Sequence, residues 1–496
     1  MTKSNSPYFL AFDLGAESGR AVTGWLDEQA RLHLQEVHRF TNGPVRVVDH
    51  LYWDVLHLWN EIQTGLDKAA HQNPRKLSSV GLDTWGVDFG LLAKDDSLLG
   101  NPVHYRDNRT DGMMERAFTR VSRADIYQTT GIQFLQLNTS YQLLSMVEAH
   151  SPLLDAADSL LMMPDLFNFW LSGQKATEFT NATTTQCYAT RSEGWAGAML
   201  KRLDIPDHIF GEVVPPGSVL GTLRPLIAEQ TGAGRISVIA PATHDTGSAV
   251  AAVPAEGTDY IYLSSGTWSL MGLEIKEPIV TPESLAAEFT NEGGVDGTYR
   301  FLKNITGLWL VQECRRHWEK EGVRYSYDDL TRLAAEAPAF GPLVVASDKR
   351  FNSPGDMPAR IQAFCQQTSQ SVPETQGAII RCALESLALE YRIVAEDLDH
   401  LIGHKVPVIH IIGGGSRNTL LNQFAADSTG RRVVAGPVEA TAIGNLLVQA
   451  VATGYISSIS EGRAIVRHSF ELNAYEPGDQ HAWDEAYQRY LKLKSK

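Results

Sequence analysis

The 496-residue chain lacks several features that mark secreted, metal-binding and nucleic-acid-binding proteins. It has only four cysteines, too few for a disulfide framework at this length, and none stands in a CxxC pair. It has no lysine- or arginine-rich run, and its formal net charge is -15, so a nucleic-acid partner is not expected. This composition favours a globular protein with reduced thiols and a cytoplasmic location.

Long hydrophobic runs are also missing. The apolar segment from Tyr8 to Leu14 is interrupted by Asp13 and is too short and too polar for a signal peptide or a membrane span. No other stretch approaches membrane length without a charge, so no membrane partner is expected. The sequence leaves the oligomeric state open. It also leaves open whether Cys365 and Cys382 meet as a disulfide on neighbouring helices.

Two common phosphate-binding motifs are absent: no GxxxxGK[ST] P-loop occurs, and no GxGxxG opens a helix. The chain instead shows a strand–turn–strand pattern near its start and repeats that pattern from about residue 259. Helical spacing follows each time and predicts helices over residues 54–70 in the first half and over 373–402 and 419–429 in the second. This doubled plan predicts two α/β domains with a ligand cleft between them. We expect domains over residues 1–250 and 251–473 and a tail over 474–496.

The run Thr243–Ala249 places the carboxylate of Asp245 in a turn of small residues. A small backbone lets a substrate approach, and a lone carboxylate there suits a base that removes a proton from a hydroxyl group. An aspartate also fills turns and helix N-caps for structural reasons alone. Other segments must therefore decide between the two readings.

Three turns are candidates for phosphate or nucleotide contacts. Asp13 ends a strand before Gly15, where turn N–H groups suit phosphate oxygens and a carboxylate can hold Mg2+ through water, although an ordinary hairpin has the same pattern. Residues 264–267 repeat this hairpin in the second half. Residues 413–415 are all glycine after an apolar strand, and they would let a flat ligand lie against the backbone.

Two further segments are candidates for sugar contacts. Asp83–Asp88 combines an aromatic face, a glycine and two carboxylates at a strand end, which suits polyol hydroxyls. Tyr105–Arg109 is dense in donors and acceptors, and its alternative interpretation is a solvated charged loop.

Taken in order, these motifs resemble those of the FGGY carbohydrate kinases, within the actin-like ATPase and sugar kinase superfamily. The resemblance covers Tyr8 to Asn473. Its most specific runs are AFDLGAESGR, GLDTWGVDFGLL, PVHYRDNRT, EFTNATTTQ, ATHDTGSAV, YLSSGTWSLMG, NEGG, LKNITGLWLVQ, HIIGGGSRNTLLNQFAADSTG and AGPVEATAIGN. The chain departs from the general family pattern around Tyr141–Glu148, where many members carry Lys and Trp. The resemblance implies two actin-like (ribonuclease H-like) α/β domains with an active-site cleft between them.

The resemblance also implies roles for single residues. Asp245 corresponds to the catalytic base. The sugar contacts would be Gly86, His244, Asp245, Thr246 and Asn304. The nucleotide contacts would be Ala16, Glu17, Ser18, Gly19, Arg20, Thr267, Gln312 and Gly414. Asp13 would lie near Mg2+ and act through water.

The activity that this resemblance implies is transfer of a phosphoryl group from ATP, with Mg2+, to the 1-hydroxyl of L-rhamnulose during L-rhamnose catabolism. A kinase for another ketose, such as L-fuculose or xylulose, is the alternative among enzymes. A non-catalytic ATP-gated sugar sensor is the alternative outside enzymes. Asp245 distinguishes the kinases from the sensor, because a sensor needs no base beside its sugar.

Overall fold

The computed structural model describes residues 7–73, 75–351 and 353–495, which form an α/β protein. The strands of the described residues are β1 Tyr8–Leu14, β2 Ser18–Leu26, β3 Leu32–Thr41, β4 Pro44–Val47, β5 His50–Trp53, β6 Leu77–Thr84, β7 Phe89–Leu92, β8 Ser159–Met162, β9 Thr177–Glu178, β10 Tyr188–Ala189, β11 Gly194–Trp195, β12 Val213–Val214, β13 Ser218–Thr222, β14 Ser237–Ala240, β15 Ile261–Ser265, β16 Trp268–Ile275, β17 Thr290–Gly293, β18 Tyr299–Thr306, β19 Val408–Ile412, β20 Arg432–Ala435 and β21 Asn473–Tyr475. The helices are α1 Val55–His71, α2 Met113–Arg120, α3 Arg123–Thr130, α4 Thr139–Glu148, α5 Pro152–Ala156, α6 Met163–Ser172, α7 Phe179–Ala182, α8 Gly197–Arg202, α9 Pro225–Thr231, α10 Asp245–Ala251, α11 Pro282–Ala286, α12 Trp309–Lys320, α13 Tyr327–Glu336, α14 Met357–Gln367, α15 Gln376–Ile402, α16 Thr419–Thr429, α17 Ala440–Ala452, α18 Ile459–Ser469 and α19 His481–Lys494.

The chain divides into two compact units, and neither is continuous in sequence. Unit 1 contains the chain up to Ala252 together with Glu274–Phe301 and Ala440–Ser469. Unit 2 contains Val253–Leu273, Leu302–Glu439 and the chain from Phe470 onward.

Unit 1 is built on a six-stranded sheet with the order β13-β14-β6-β1-β2-β3. Strand β1 pairs antiparallel with β2 and parallel with β6, and β14 pairs parallel with β6. In this register Asp13 lies opposite Arg20 on one side and beside Asp83 on the other. The hairpin and the parallel strand therefore bring charged residues from three segments to one end of the sheet.

Helix α1 shows why the first helical prediction holds. Asp54 caps its N-terminus by accepting a hydrogen bond from the backbone N–H of His57. Helical spacing places Leu58, Ile62 and Leu66 on one face of the helix, and this face is buried in the core of unit 1. The predicted span of 54–70 is confirmed, because the helix covers Val55–His71.

Helix α17 packs closely on both β6 and α10, and two glycines allow this approach. A Cβ atom on Gly444 would lie 1.7 Å from the carbonyl oxygen of Ser248 on α10. A Cβ atom on Gly81 of β6 would lie 2.6 Å from Oδ1 of Asn445. The polar side chains of α17 consequently reach Asp83, near the end of β6.

In unit 2, strands run in the order β16-β15-β19-β20-β21, with β15, β19 and β20 parallel to one another. The helix predicted over 373–402 is confirmed as α15, and the one predicted over 419–429 is confirmed as α16. The last part of the chain forms α19, whose Trp483 and Tyr490 are buried. The polar composition of this segment concealed its apolar face from sequence analysis.

Two general properties of the fold bear on earlier expectations. Cys365 on α14 and Cys382 on α15 are both free thiols and hydrogen-bond to each other, so they do meet on neighbouring helices. Among the described residues, no helix is both long enough and apolar enough to cross a membrane.

Candidate active site

Three carboxylates of unit 1 lie at the ends of neighbouring segments. Asp13 stands near the end of β1, Asp83 near the end of β6, and Asp245 at the start of α10. Burial raises the pKa of Asp83 well above its usual range, and the negative charges of Asp13 and Asp245 raise it further. The three side chains therefore interact electrostatically as one group.

Asp83 is completely buried and is held from α17. Its Oδ2 accepts a 2.6 Å hydrogen bond from Nδ2 of Asn445, and Oδ1 has no hydrogen-bond partner among the described residues. Gln449 orients that amide by donating to Oδ1 of Asn445 at 2.7 Å, and Gln449 in turn accepts from Ser79. An unsatisfied buried carboxylate oxygen is unusual, and a functional group or a bound species normally explains one.

Asp13 is paired with Arg20 across the β1–β2 hairpin. Both Nε and Nη2 of Arg20 donate to Oδ2 of Asp13, at 3.0 and 2.8 Å. Asn42 holds the intervening turn by donating to the carbonyl oxygens of Gly15 and Glu17. Five of the predicted nucleotide residues lie in this hairpin: Ala16 and Glu17 are in the turn, and Ser18, Gly19 and Arg20 are on β2.

The backbone that leads into Asp245 is fixed by the buried carboxylate of Glu178. The N–H and hydroxyl groups of Thr243 donate to its Oε2 at 2.9 and 2.8 Å. Thr180 also donates its hydroxyl to Glu178 while accepting a 3.1 Å hydrogen bond from the backbone N–H of His244. Burial raises the pKa of Glu178, and these donors oppose the rise by stabilising its charged form.

The two carboxylate oxygens of Asp245 differ in their hydrogen bonding. Its Oδ1 accepts hydrogen bonds from the backbone N–H of Thr246 at 2.5 Å and from the Thr246 hydroxyl at 3.0 Å. Among the described residues, Oδ2 accepts none. The side chain is 33% exposed, so Oδ2 is accessible to a ligand.

Gly86 and Asp88 lie in the loop that follows β6. A Cβ atom on Gly86 would lie 3.0 Å from the side chain of Thr184, which leaves little room for a larger residue. Oδ2 of Asp88 accepts from the indole N–H groups of Trp53 and Trp85 at 2.6 and 3.0 Å. Burial raises the pKa of Asp88 to about 6. The expectation that Asp88 binds a polyol hydroxyl is therefore wrong, because this carboxylate is buried and occupied.

The segment Tyr105–Arg109 is also held within the protein. Asp107 accepts from the backbone N–H groups of Leu51 and Arg109 at 2.7 and 3.0 Å, and Arg109 donates to Gln142 at 2.6 Å. The segment is thus only partly a solvated loop, because Arg106 and Asn108 are exposed whereas Asp107 is buried. Its donors and acceptors are largely used to join β5 and α4 to the rest of unit 1.

In unit 2, the β15–β16 hairpin is joined to helix α12. The backbone N–H of Trp309 donates to the carbonyl oxygen of Thr267, and that of Leu308 donates to Gly266. One turn into α12, the side-chain Oε1 of Gln312 is buried and has no hydrogen-bond partner among the described residues. Two predicted nucleotide residues, Thr267 and Gln312, are therefore carried by adjoining elements.

The glycine run 413–415 packs against the same hairpin. A Cβ atom on Gly415 would lie 2.0 Å from Oγ of Ser265, and Gly413 adopts a φ of 83°. A Cβ atom on Gly414 would meet nothing within 4 Å. The first and third glycines are thus required by the protein itself, whereas the position of Gly414 leaves space for a ligand.

The predicted sugar residues are divided between the units. Gly86, His244, Asp245 and Thr246 lie in unit 1, and Asn304 lies on β18 in unit 2. Sequence reasoning missed several residues that support the site in unit 1: Glu178, Glu292, Arg300 and Asn445. Three of these, Glu178, Glu292 and Asn445, stand in the runs EFTNATTTQ, NEGG and AGPVEATAIGN. The family resemblance therefore included these residues, but no role was assigned to them.

Comparisons with known proteins agree with this architecture. Residues 8–252 match the N-terminal domain of the FGGY family of carbohydrate kinases, and residues 261–453 match its C-terminal domain. A protein named rhamnulokinase from Bacteroides thetaiotaomicron is 46% identical over 97% of this chain and 98% of its own length. A second rhamnulokinase, from Oceanobacillus iheyensis, is 44% identical over 94% and 97%.

The structural comparison bears on the fold alone. A ligand-bound xylulose kinase from Lactobacillus acidophilus superposes with a TM-score of 0.81 at 17% identity and covers 99% of this chain and 98% of its own. The expected α/β fold with two actin-like domains is confirmed. With both family domains matched in order over most of its length, this chain belongs to the FGGY family of carbohydrate kinases and is an enzyme of that class.

Proposed function

We propose that the enzyme transfers the γ-phosphoryl group of ATP to the 1-hydroxyl of L-rhamnulose, giving L-rhamnulose 1-phosphate and ADP in L-rhamnose catabolism. The two relatives named rhamnulokinase, similar over nearly the whole chain, support the choice of sugar. The observation that carries the chemistry is the carboxylate of Asp245, with one oxygen occupied by Thr246 and the other accessible. The proposal includes a cytoplasmic location, which four free thiols favour.

In the proposed mechanism Asp245 is the general base. Its Oδ2 accepts the proton of the sugar hydroxyl while the hydroxyl oxygen forms a bond to the γ-phosphorus and the bond from that phosphorus to the β–γ bridging oxygen breaks. ADP leaves with the bond's electron pair, and the proton passes from Asp245 to solvent after product release. Hydrogen bonds from Thr246 fix the carboxylate, so little reorientation is needed at the moment of reaction.

We assign the remaining contacts as follows. The sugar is bound by Gly86, His244, Asp245, Thr246 and Asn304. The nucleotide is bound by Ala16, Glu17, Ser18, Gly19, Arg20, Thr267, Gln312 and Gly414. The unsatisfied Oε1 of Gln312 supports this assignment, because the ribose hydroxyls and the adenine amine of ATP are donors that could satisfy it.

We further propose that Mg2+ is held near Asp13 through water. The oxygen donors fit this ion, since Asp13 and Asp83 are neighbours in the parallel register and Oδ1 of Asp83 lacks a partner among the described residues. Mg2+ commonly keeps several waters and uses one or two carboxylates plus substrate phosphates, so a complete protein cage is not required. When bound, it would neutralise charge on the phosphoryl group in transfer.

The test is a coupled ADP-release assay with the purified full chain, ATP and a panel of ketoses: L-rhamnulose, L-fuculose, L-xylulose and D-xylulose. We expect the highest kcat/KM with L-rhamnulose and dependence on added Mg2+. A higher kcat/KM with another ketose would replace the proposed substrate. ADP release that no sugar accelerates would contradict the kinase assignment and favour an ATP-gated sensor.

A further inference from the structure

A buried arginine contacts the histidine that precedes the proposed base. Arg300 is fully buried on β18, where its Nε donates to the carbonyl oxygen of Gly293 at 2.8 Å. Its Nη2 lies 3.1 Å from Oε2 of Glu292 and 3.0 Å from Nδ1 of His244. Glu292 is nearly buried and lies 3.3 Å from the same ring nitrogen. One guanidinium thus joins the β17–β18 hairpin to the catalytic loop of unit 1.

This contact determines which nitrogen of His244 carries the proton. A guanidinium group only donates hydrogen bonds and stays charged in proteins. The contact between Nδ1 and Arg300 has hydrogen-bond geometry, whereas Oε2 of Glu292 makes no hydrogen bond among the described residues, so Nδ1 accepts from Arg300 through its lone pair. A neutral imidazole whose Nδ1 accepts must carry its proton on Nε2. Nε2 is the nitrogen on the side of Asp245, 3.4 Å from Oδ1.

The charge balance around Arg300 favours the same arrangement. Burial alone would raise the pKa of Glu292, yet the charge of Arg300 helps to hold it below its ordinary value. A carboxylate that stays ionised keeps the fully buried guanidinium paired. The guanidinium therefore remains in place to donate to the imidazole.

Resting on the proposed function, we propose that Arg300, held by Glu292, is a positioning residue that fixes the Nε2–H tautomer of His244. The Nε2–H is then directed at Oδ1 of Asp245, which already accepts two hydrogen bonds from Thr246. The two hydrogen bonds from Thr246 and the nearby Nε2–H, 3.4 Å away, keep the carboxylate in one orientation and leave Oδ2 as the atom that takes the sugar proton. Glu292 and Arg300 touch neither sugar nor nucleotide in this account.

The first experiment leaves Arg300 and Glu292 unchanged. In full-length protein labelled with 15N-histidine, NMR at pH 8 reports which ring nitrogen of His244 bears hydrogen, with His244→Gln used to assign the signal. We expect a neutral ring with hydrogen on Nε2 and none on Nδ1. A ring with hydrogen on Nδ1, whether alone or on both nitrogens, would overturn the proposal.

The second experiment measures catalysis in Arg300→Met, with Arg463→Met as the matched control. Arg463 is also a nearly buried arginine of unit 1 that pairs with a glutamate, Glu274, at 2.6 Å and donates to a backbone carbonyl, that of Val250. We expect kcat of Arg300→Met to fall by ~10-fold or more while KM for ATP changes by less than ~3-fold. We expect the control to lose thermal stability with kcat within ~3-fold of wild type.

The outcomes of the two experiments distinguish a positioning role of Arg300 from a role in stability alone. Equal kcat values for the two methionine variants, with Nε2–H retained in Arg300→Met, would contradict the proposal. If Arg300→Met fails to fold, the tautomer of the wild-type protein still decides. A failure of the proposed function is distinguishable as well, because the NMR measurement needs no turnover.

Discussion

The β1–β2 hairpin of unit 1 and the β15–β16 hairpin of unit 2 have the same strand–turn–strand form and different chemistry. The first carries Asp13 and Arg20 as an ion pair beside the buried carboxylate of Asp83. The second carries no charged side chain over residues 261–272, and its turn contacts a helix start and a glycine run. One hairpin thus sits among charges, whereas the other is surrounded by hydroxyl and backbone groups.

This difference indicates a division of labour. Carboxylates suit metal ions and proton transfer, and all three carboxylates of the electrostatic group belong to unit 1. Close backbone approach and neutral hydrogen-bonding groups suit a nucleotide, and these are what the β15–β16 hairpin of unit 2 offers. Removing the carboxylate of the first hairpin should therefore change the chemical step, and substitutions in the second hairpin should change nucleotide affinity.

The largest effect is expected for Asp245→Asn. An amide retains the size of the carboxylate but is a very poor base, so we expect kcat to fall by ~10²–10⁴-fold while KM for the sugar changes by less than ~3-fold. Coupled ADP release measures both constants. Turnover near the wild-type value in a variant of unchanged melting temperature would remove Asp245 from the role of base.

A smaller effect is expected for Asp13→Ala, and the second hairpin provides its control. Removing the carboxylate should lower kcat by ~10–100-fold and raise the Mg2+ concentration needed for half-maximal rate, because the ion loses its proposed anchor. Thr267→Ala should instead raise KM for ATP and leave the Mg2+ requirement unchanged. Magnesium titrations of the two variants check this. A shared change in Mg2+ requirement would erase the distinction between the hairpins.

The glycine run offers a test within unit 2. Gly414→Ala adds a methyl group where nothing lies within 4 Å, so stability should be kept while KM for ATP rises by ~3–10-fold if the nucleotide lies there. Gly415→Ala places a carbon 2.0 Å from Oγ of Ser265 and should cost about 1–3 kcal/mol of stability. Thermal unfolding and ATP titration separate these effects. An unchanged KM for ATP in Gly414→Ala would argue against the nucleotide contact.

The smallest effect is expected for Asp88→Asn, because Asp88 is a buried carboxylate whose hydrogen bonds lie within unit 1. The pKa of Asp88 is raised by burial from 3.8 to about 6, so its favourable contribution belongs to the protonated form and is lost as pH rises through that range. Asp88→Asn does not titrate. We expect its unfolding free energy relative to wild type to increase by up to about 3 kcal/mol from pH 4 to pH 7. Urea unfolding at both pH values measures this, and a pH-independent difference would contradict the buried, titrating Asp88.

The sequence was sufficient for the features that depend on local pattern. Apolar spacing located α1 and α16, and the small-residue turns located the segments of Asp13 and Asp245. It could not separate Asp83 from Asp88, because both are strand-end carboxylates in one run and differ only in which distant side chains reach them. Asn445 reaches the first, and Trp53 reaches the second.

Residues that act through others were harder to identify for the same reason. Arg300 and Glu292 lie about 50 positions from His244 in the chain, and only the folded sheet brings them to its ring. The apolar face of helix α19 was missed because Trp483 and Tyr490 stand among charged residues. In each case, tertiary contacts supply information that the local sequence does not contain.

The most direct test of the account is the structure of the product. Wild-type enzyme and Asp245→Asn would each be incubated with ATP, Mg2+ and L-rhamnulose, and the sugar phosphate identified by 31P and 13C NMR. We predict that the wild type forms one product, with phosphorus coupled to C1, and that the variant forms it at a rate lower by ~10²-fold or more. Phosphate on another carbon, or equal rates of product formation, would contradict the assignment of substrate, hydroxyl or base.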